Sequence, residues 1–423
     1  MSATTKKLNY ADVPPRASSS RSIRTEVLPS SGSSFNMNNT IIFDLPSNVS
    51  NTFWDAQSSY VRLNITNNDA DAANINFEGG GFPSTIKRLE VLQGGQTIAS
   101  INEYGVLYQM LLDLDTSGQF RSNAGARLFG AANSAVGEQL AAGAANTRQV
   151  CFPLALMPIT QSSKYYPLMG REPLRIRLEL YPAKTAFKAN DDALEDSEIT
   201  IDEVALVMYQ LELGQSVMDQ VVANSGGMFK MVMPSYQHHQ ATLAAGATSV
   251  ATTLGFSMSS LDRILVAQRR QLIAGNTISL GNRSQLQLTD ANVKIGGVQF
   301  PQIKIKDRKN SAAEVLAEAL VSQRALLSYG HDSSIELGSG FNAQEPTGAD
   351  NANTGHFVIE IDLESQRVDA GSLVAGVNCI GSTVQFESTY AAGPGAAHTI
   401  DVFGQHSIMV ALDLQSMTTS IAV

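Results

Sequence analysis

The residues best suited to acid-base or metal chemistry are the six histidines, and all of them lie in the second half of the chain. They are His238, His239, His331, His356, His398 and His406. His238 and His239 are adjacent, so on a β-strand their side chains would point to opposite faces and would not ligate one ion without a bend. His331 precedes Asp332 and could be an oriented base, but no nucleophile accompanies the pair at a recognisable spacing. We therefore predict neither a metal site nor a catalytic histidine.

Other patterns that could do chemistry are weak. The chain has no G-x-S-x-G, H-E-x-x-H, G-x-x-x-x-G-K-[ST] or C-x-x-C motif. The run Gly79-Gly80-Gly81 lacks the following lysine and helix that would cradle a phosphate, so we interpret it as a flexible loop. Cys151 and Cys379 are too few and too far apart for a disulfide framework or a zinc site, and we predict two buried thiols.

An acidic stretch is the last candidate for a ligand site. It contains Asp191, Asp192, Glu195, Asp196 and Glu198. These residues lack the spaced order of a calcium-binding loop, so we predict a solvated surface loop. The sequence therefore predicts no enzyme, no catalytic residue, no cofactor and no bound metal.

Length and composition favour an assembling protein with two domains. The chain has 423 residues, more than the roughly 250–300 at which one hydrophobic core stops growing. Only 16% of its residues are charged, against about 25% in typical soluble domains. A weakly charged surface suits a subunit surrounded by its own copies, because burying charges at an interface costs desolvation free energy. The net charge of −10 excludes a chain whose whole surface wraps nucleic acid.

The N-terminal segment differs from the rest of the chain. It is rich in Ser and Pro, and between Met1 and Thr25 Asp12 is the only acidic residue set against five basic ones: Lys6, Lys7, Arg16, Arg21 and Arg24. Such a segment buries too little apolar surface to order itself, so residues 1–28 are predicted to be a mobile basic arm or, alternatively, an ordinary frayed terminus. No N-terminal stretch resembles a signal peptide, and residues 241–261 are too polar to span a bilayer. We expect neither secretion by the usual route nor a membrane-integral protein.

Apolar and polar residues alternate with a period of two along the rest of the chain, and this pattern predicts β-strands. The clearest cases are residues 61–65, 174–180 and 357–364, and in the last of these Glu360 is expected to face away from the apolar side. Gly94-Gly95 is predicted to form a hairpin turn. Shorter strands are predicted at residues 199–207, 303–305, 384–386 and 399–403. Many short strands with turn-rich connections indicate β-sandwiches or barrels.

Two predicted helices interrupt the strands, and their likeness suggests one unit used twice. Each is predicted to begin at a capping box, at Ser100 and at Ser311, with an offset of 211 in sequence number. Two further pairs of similar segments have other offsets. Residues 86–89 resemble residues 261–264 with an offset of 175, and the alternating strands that begin at residues 174 and 357 have an offset of 183. The order repeats, but these offsets alone do not establish a duplication. We predict a first domain of residues 29–213, a linker of residues 214–227 and a second domain of residues 228–423.

The succession of segments resembles the double jelly-roll major capsid proteins of tailless icosahedral viruses, a family that includes adenovirus hexons and proteins of membrane-containing bacteriophages. The segments that carry the resemblance are residues 39–46, 59–63, 86–91, 102–114, 164–168, 173–178, 256–266, 357–364 and 400–403. The resemblance covers nearly the whole chain after about residue 28. The chain departs from the largest members of the family in lacking long insertions that build surface towers.

This resemblance implies an all-β fold of two consecutive jelly-roll β-sandwiches with short helices in loops. It implies a viral major capsid protein that forms homotrimeric, pseudo-hexagonal capsomers and then an icosahedral shell. Such a protein would reside in the virion, be made in the host cell without a secretion signal, and contact other capsomers as well as penton and minor capsid proteins. The basic arm would face an internal membrane or the genome.

Three alternatives remain open from the residues themselves. The chain could be a single-jelly-roll or other β-rich capsid or spike protein, a soluble β-sandwich that binds or hydrolyses glycans, or a bacterial surface or appendage protein. Glycan sites usually use aromatic platforms, but aromatic residues make up only 7% of this chain. Its single tryptophan, Trp54, is predicted to fill a core or an interface.

Overall fold

The structure is a computed structural model of the whole chain. It describes residues 20–68, 74–132, 136–143, 146–189, 194–271, 280–307, 311–323, 325–326, 341, 355–364 and 376–422. Antiparallel β-strands dominate both halves of the chain, as the alternating sequence pattern predicts. Within the described residues, no helix is both long enough and apolar enough to cross a membrane.

The first half contains strands β1 to β13 and helices α1 to α5. The strands are β1 (Ser20–Val27), β2 (Ser34–Asn36), β3 (Thr40–Asp44), β4 (Thr52–Asn67), β5 (Ile75–Glu78), β6 (Ile86–Gln93), β7 (Gln96–Asn102), β8 (Val136–Leu140), β9 (Arg148–Phe152), β10 (Tyr166–Pro167), β11 (Leu174–Leu180), β12 (Lys188–Ala189) and β13 (Ile199–Leu213). The helices are α1 (Tyr104–Asp115), α2 (Gly118–Phe120), α3 (Ala126–Phe129), α4 (Pro158–Gln161) and α5 (Ala183–Ala186), with 3-10 turns at Phe82–Thr85 and Asp196–Glu198 and a π-helical turn at Arg121–Gly125.

Helix α6 (Gln215–Ser225) joins this half to the second. The strands that follow are β14 (Met228–Leu243), β15 (Ser249–Leu254), β16 (Leu261–Arg270), β17 (Leu288–Ile295), β18 (Val298–Lys306), β19 (Ile359–Asp362), β20 (Val384–Tyr390), β21 (His398–Asp413) and β22 (Thr418–Ala422). Helix α7 (Ala313–Ser322) follows β18.

Each half contains two facing sheets, and the first half adds a small third sheet, β12-β5-β8. In the first half, sheet β1-β13-β4, with β9 and β10 also paired to β4, faces sheet β3-β11-β6-β7. In the second half, sheet β14-β21-β16-β19 faces sheet β15-β20-β17-β18. The eight principal strands are β1, β3, β4, β6, β7, β9, β11 and β13 in the first half and β14 to β21 in the second. When the strands of each half are numbered 1 to 8 in chain order, one sheet has the strand order 1-8-3-6 and the other has the order 2-7-4-5. This order defines a jelly roll, so the chain is a double jelly roll.

The two jelly rolls repeat at a nearly constant interval of about half the chain. Strand β1 begins at Ser20 and its counterpart β14 at Met228, while α1 begins at Tyr104 and its counterpart α7 at Ala313. The other seven strand pairs begin at closely similar separations. Two of the correspondences predicted from sequence were therefore wrong, because β6 corresponds to β17 rather than to β16, and β11 corresponds to β20 rather than to β19. The predicted match of the two helices is confirmed.

Matching turns support this repeat. The predicted hairpin at Gly94-Gly95 is confirmed: it joins β6 to β7, and its glycines have φ values of 57° and 85°. Gly296-Gly297 joins β17 to β18 with φ values of 56° and 86°. A two-residue hairpin with positive φ at both positions matches the right-handed twist of the strands and favours glycine.

The predicted helix starts were wrong by a few residues. Ser100 belongs to β7, where it pairs with Glu90, because the strand ladder continues through the predicted capping box. Helix α1 follows Glu103, which has a φ of 52°, and α7 follows Ala312, which has a φ of 51°. Neither residue caps its helix through a side chain. Both helices are thus preceded by a residue in the same left-handed conformation, another shared feature of the two halves.

Candidate functional site: the seam between the jelly rolls

Strand β16, which lies inside its sheet between β21 and β19, is buried on both faces. Ile264 and Val266 belong to the core of the second jelly roll, whereas the alternate residues Leu265 and Ala267 belong to a cluster dominated by the first. Phe403 of β21 joins the same cluster. Because strand side chains alternate between faces, one face of this sheet covers its own core and the other packs against the first jelly roll. We call this contact the seam.

A charged network crosses the seam at Arg269 of β16. Its guanidinium lies 2.6 Å from the carboxylate of Asp401 and 3.1 Å from that of Glu103 in the first jelly roll. Tyr181 donates a hydrogen bond of 2.7 Å to Glu103, and His238 Nε2 lies 2.9 Å from Asp401. Burial alone would raise the pKa of Asp401, but the charge of Arg269 and the contact with His238 outweigh it and lower the pKa to about 2.

A second network is centred on Asp113 of α1, which has no solvent exposure. Its carboxylate forms ion pairs with Arg121 of the first jelly roll and Arg283 of the second, both of them fully buried. His356 Nδ1, also from the second jelly roll, lies 2.9 Å from the same carboxylate. Burial opposes ionisation, but these three groups together hold the pKa of Asp113 well below its usual range. A buried pair of this kind fixes geometry, since removing one partner leaves an unpaired buried charge.

Helix α1 lies along strand β16, as its flanking charges show. Glu103 before the helix pairs with Arg269, and the charge of Asp115 at its other end acts on Arg263, which pairs with Glu360 at 2.9 Å. The twelve-residue helical span covers about 18 Å, and six residues of strand cover about 20 Å. The two lengths match, so helix and strand run side by side in opposite directions.

The seam is electrostatically asymmetric. In the ion pairs that cross it, the carboxylates come from the first jelly roll and the cationic partners Arg269 and Arg283 come from the second. Glu78 follows this rule as well, since it accepts hydrogen bonds from the backbone N–H groups of Leu280 at 2.8 Å and Gly281 at 3.4 Å. The seam can therefore form in one register, with the helix of one jelly roll against the sheet of the other.

The residues of the predicted basic arm fall into two groups. Lys6, Lys7 and Arg16 lie outside the described residues. Arg21 and Arg24 lie in β1, which pairs along its whole length with β13. The prediction of a mobile arm over residues 1–28 was therefore wrong for residues 20–27. Backbone pairing orders this segment despite its polar composition. Arg21 forms an ion pair of 2.7 Å with Glu212, and Arg24 one of 3.4 Å with Glu26.

The five histidines within the described residues do not converge on one site. Two of them, His238 and His356, contact the seam carboxylates described above, while His239 lies 3.4 Å from Thr252 on a separate face. His331 and Asp332 lie outside the described residues. In the part of the chain that the structure describes, no group of three or more His, Cys, Asp or Glu side chains is arranged to hold a metal ion.

Two other expectations from sequence were wrong. Gly79-Gly80-Gly81 is buried and accepts a hydrogen bond of 3.0 Å from Arg121 at the Gly79 carbonyl, so it is a packed turn and not a flexible loop. Glu360 does not face solvent but is fully buried, because Ser322 and Gln323 at the end of α7 cover it with hydrogen bonds of 2.8 to 3.1 Å.

The remaining candidates have structural roles. Trp54 is fully buried in the core, as predicted, and donates a hydrogen bond of 2.8 Å to Ser59. In the acidic stretch, Glu195 and Glu198 cap a 3-10 turn, while Asp191 and Asp192 lie outside the described residues. Cys379 is buried as predicted, but Cys151 is only half-buried; both thiols are free.

No protein-family model matches the sequence, and no curated protein is detectably similar to it. Solved structures, however, match nearly the whole chain. The capsid protein in a quasi-atomic model of the PBCV-1 virus capsid has a TM-score of 0.65 and 11% sequence identity, and the match covers 98% of this chain and 99% of that one. The Faustovirus major capsid protein has a TM-score of 0.60 and 10% identity, covering 95% and 92%. The mavirus major capsid protein has a TM-score of 0.58 and 11% identity, covering 99% and 93%. The shared feature is the double jelly-roll fold.

Proposed function

We propose that this chain, which has the double jelly-roll fold found in the capsid proteins of PBCV-1, Faustovirus and mavirus, is itself a viral major capsid protein. The observation that carries the proposal is the repeat within one chain. Two jelly rolls with the same strand order, one in each half of the chain, are joined by a buried seam. Two similar lobes fixed in one orientation form a building block for a near-hexagonal array.

The proposed assembly is a homotrimer. Three copies place six similar lobes around one axis, so that a single gene product can tile a shell with near-hexagonal contacts. Each contact can be weak, because a shell repeats it many times. The low fraction of charged residues supports this proposal, because a neutral surface is buried between subunits at a small desolvation cost.

The proposed location is the shell of the virion. Capsomer–capsomer contacts, and contacts with penton and minor capsid proteins, are part of the proposal. Strand β1 starts beside the end of β13, where Ser20 pairs with Leu213, and helix α6 follows directly. Ser20, the first residue that the structure describes, therefore lies at the end of the molecule that carries the linker helix. We propose that this end faces inward and that Lys6, Lys7 and Arg16 contact the genome or an inner membrane.

The test is to determine the assembly state of the purified full chain by mass photometry and negative-stain electron microscopy. The expected result is trimers with a six-lobed outline, or closed shells. A chain that stays monomeric at all accessible concentrations would contradict the proposal. Binding in a glycan screen by such a monomer would favour the alternative of a glycan-binding β-sandwich.

A further inference from the structure

A cavity of about 570 Å³ opens beside helix α6, at the end of the molecule where β13 ends and β14 begins. Three parts of the chain line it: the first jelly roll with Phe53 and Leu211, helix α6 with Val221, and the start of the second jelly roll with Phe229 and Met231. We call it the linker cavity. Its volume lies within the range of about 300–1,000 Å³ that is typical of sites for small organic molecules.

The apolar floor of the linker cavity follows from the alternation of strand β4. Trp54 belongs to the core of the first jelly roll, so its neighbour Phe53 points to the opposite face of the sheet. Phe53 pairs with Leu211 across the ladder, and its ring packs against that of Phe229 with 5.7 Å between the ring centroids. Phe53 is only 8% exposed and Met231 only 3%, so the floor is apolar and shielded from water.

The mouth of the linker cavity is exposed and positively charged. Tyr165 and Met228 lie there with 51% and 38% exposure, and Lys164 and Lys230 are exposed beside them. The Lys164 ammonium donates a hydrogen bond of 3.0 Å to the backbone carbonyl of Lys230, which holds it against the start of β14. None of the described lining residues is acidic, and neither lysine forms an ion pair with any other described residue. The mouth therefore presents two ammonium groups that lack a carboxylate partner in the described part of the chain.

A second cavity that borders α6 differs in charge. It has a volume of about 440 Å³, and its described lining includes Asp219 but no lysine or arginine. The adjacent residues Val221 and Val222 of α6 line the linker cavity and the second cavity, respectively. The combination of an apolar floor with a basic mouth therefore belongs to the linker cavity and not to the surroundings of α6 in general.

We infer that the linker cavity is a binding site for a long-chain fatty acid. The alkyl chain lies on the apolar floor, where its burial removes apolar surface from water. The carboxylate lies at the mouth beside Lys164 and Lys230. It is ionised at neutral pH, and hydrogen bonds between an ammonium and a carboxylate are stronger than those between neutral groups.

The bound fatty acid would contact both jelly rolls and the helix that joins them. A ligand that binds only the folded arrangement stabilises it, so the expected effect is a firmer connection at the linker end of the molecule. The inference goes beyond the proposed function and does not depend on the assembly state of the chain.

The test measures the binding of palmitate to the full chain by displacement of cis-parinarate, a fluorescent fatty acid whose emission rises in an apolar site. One variant combines Lys164→Glu with Lys230→Glu. Its control combines Lys184→Glu with Lys306→Glu, which changes the net charge equally at two exposed lysines outside the cavity.

A second pair of variants tests the floor of the cavity. Val221→Trp fills the linker cavity with a large side chain, and Val222→Trp, at the next residue of the same helix, faces the second cavity instead. Circular dichroism and urea unfolding verify that each variant is folded. Hexadecanol is the comparison ligand, because it has the alkyl chain of palmitate without the charge.

The expected result is saturable binding of one palmitate per chain. The variant with Lys164→Glu and Lys230→Glu should bind palmitate about tenfold or more weakly, and Val221→Trp should lose binding. Both control variants should keep the wild-type affinity, and hexadecanol should compete less well than palmitate.

Three outcomes would overturn the inference. The first is a folded wild-type chain that shows no saturable palmitate binding, and the second is wild-type affinity in both variants of the linker cavity. The third is binding to vesicles of anionic phospholipid without binding of free palmitate, which would assign the basic mouth to a membrane surface. Equal competition by hexadecanol and palmitate would overturn the role given to Lys164 and Lys230.

Discussion

Arg269 of the second jelly roll lies 3.1 Å from Glu103 of the first and also 2.6 Å from Asp401 on the neighbouring strand. One guanidinium thus neutralises a carboxylate on each side of the seam. We predict that Arg269→Leu lowers the free energy of unfolding by about 3–5 kcal/mol, because it leaves buried Asp401 without its main counter-charge. Urea unfolding followed by far-ultraviolet circular dichroism measures this change.

The matched control is Arg21→Leu. Arg21 also pairs with a carboxylate, that of Glu212, but its side chain is 71% exposed. An exposed pair contributes about 0–1 kcal/mol, so this variant should unfold close to the wild-type urea concentration. Equal destabilisation by the two variants would show that burial at the seam does not give Arg269 its role.

Acid should weaken the seam. The folded pKa of Asp401 is about 2, below its ordinary value of 3.8. A carboxyl with a lowered folded pKa stabilises the protein fully above its ordinary pKa, and this contribution is lost as the pH falls towards the folded value. For Asp401 the loss is about 2 kcal/mol between about pH 5 and pH 2, and Asp113 acts in the same direction. Burial raises the pKa of Glu360. Protonation of Glu360 as the pH falls therefore stabilises the folded protein and opposes this loss.

Urea midpoints measured at intervals from pH 7 to pH 2 check this prediction. The wild-type midpoint should fall on the acid side, and Asp401→Asn should start from a lower midpoint but lose less as the pH falls. If the variant and the wild type show parallel acid limbs, Asp401 is not a source of the pH dependence.

The sequence predicted the strands and the fold well, because half-buried strands show their alternation directly, as in residues 174–180 and in the glycine hairpin at 94–95. It failed at Glu360, because alternation shows that two faces differ but not whether the polar face meets water. It also missed the true offset of the repeat. The signal was present: Thr200-Ile201-Asp202 and Thr399-Ile400-Asp401 repeat the same three residues at the same ladder position.

The seam carboxylates were the main residues that sequence reasoning missed. Asp113 stands among apolar residues in Leu111-Leu112-Asp113-Leu114, a context in which a charge calls for a buried partner. That context was the available signal. Its partners Arg283 and His356 come from the other half of the chain, so no local pattern could have identified them.

Gly105 should tolerate no side chain. It is the second residue of α1, and a Cβ atom there would lie 2.2 Å from the backbone carbonyl oxygen of Ser84. Backbone cannot rotate away as a side chain can, so we predict that Gly105→Ala displaces α1 from the 3-10 turn beneath it and costs about 1–3 kcal/mol of unfolding free energy. Thermal and urea unfolding measure the change. Gly255→Ala is the control, because a Cβ at Gly255 meets nothing within 4 Å; equal stability of the two variants would contradict the close approach.

Trp54 offers a single-site optical probe of the first jelly roll, because it is the only tryptophan and is fully buried. Its indole N–H donates to Ser59 Oγ at 2.8 Å, and the same oxygen accepts the backbone N–H of Tyr209 at 3.1 Å. Ser59→Ala leaves both buried donors without this acceptor, so we predict a loss of about 1–3 kcal/mol in unfolding free energy. The Trp54 fluorescence of the folded wild type should be blue-shifted and shielded from quenching by acrylamide. Urea unfolding followed by the same fluorescence measures the change in unfolding free energy. Ser58→Ala, at an exposed neighbour, should have no comparable effect; strong quenching in the folded wild type would contradict the buried position of Trp54.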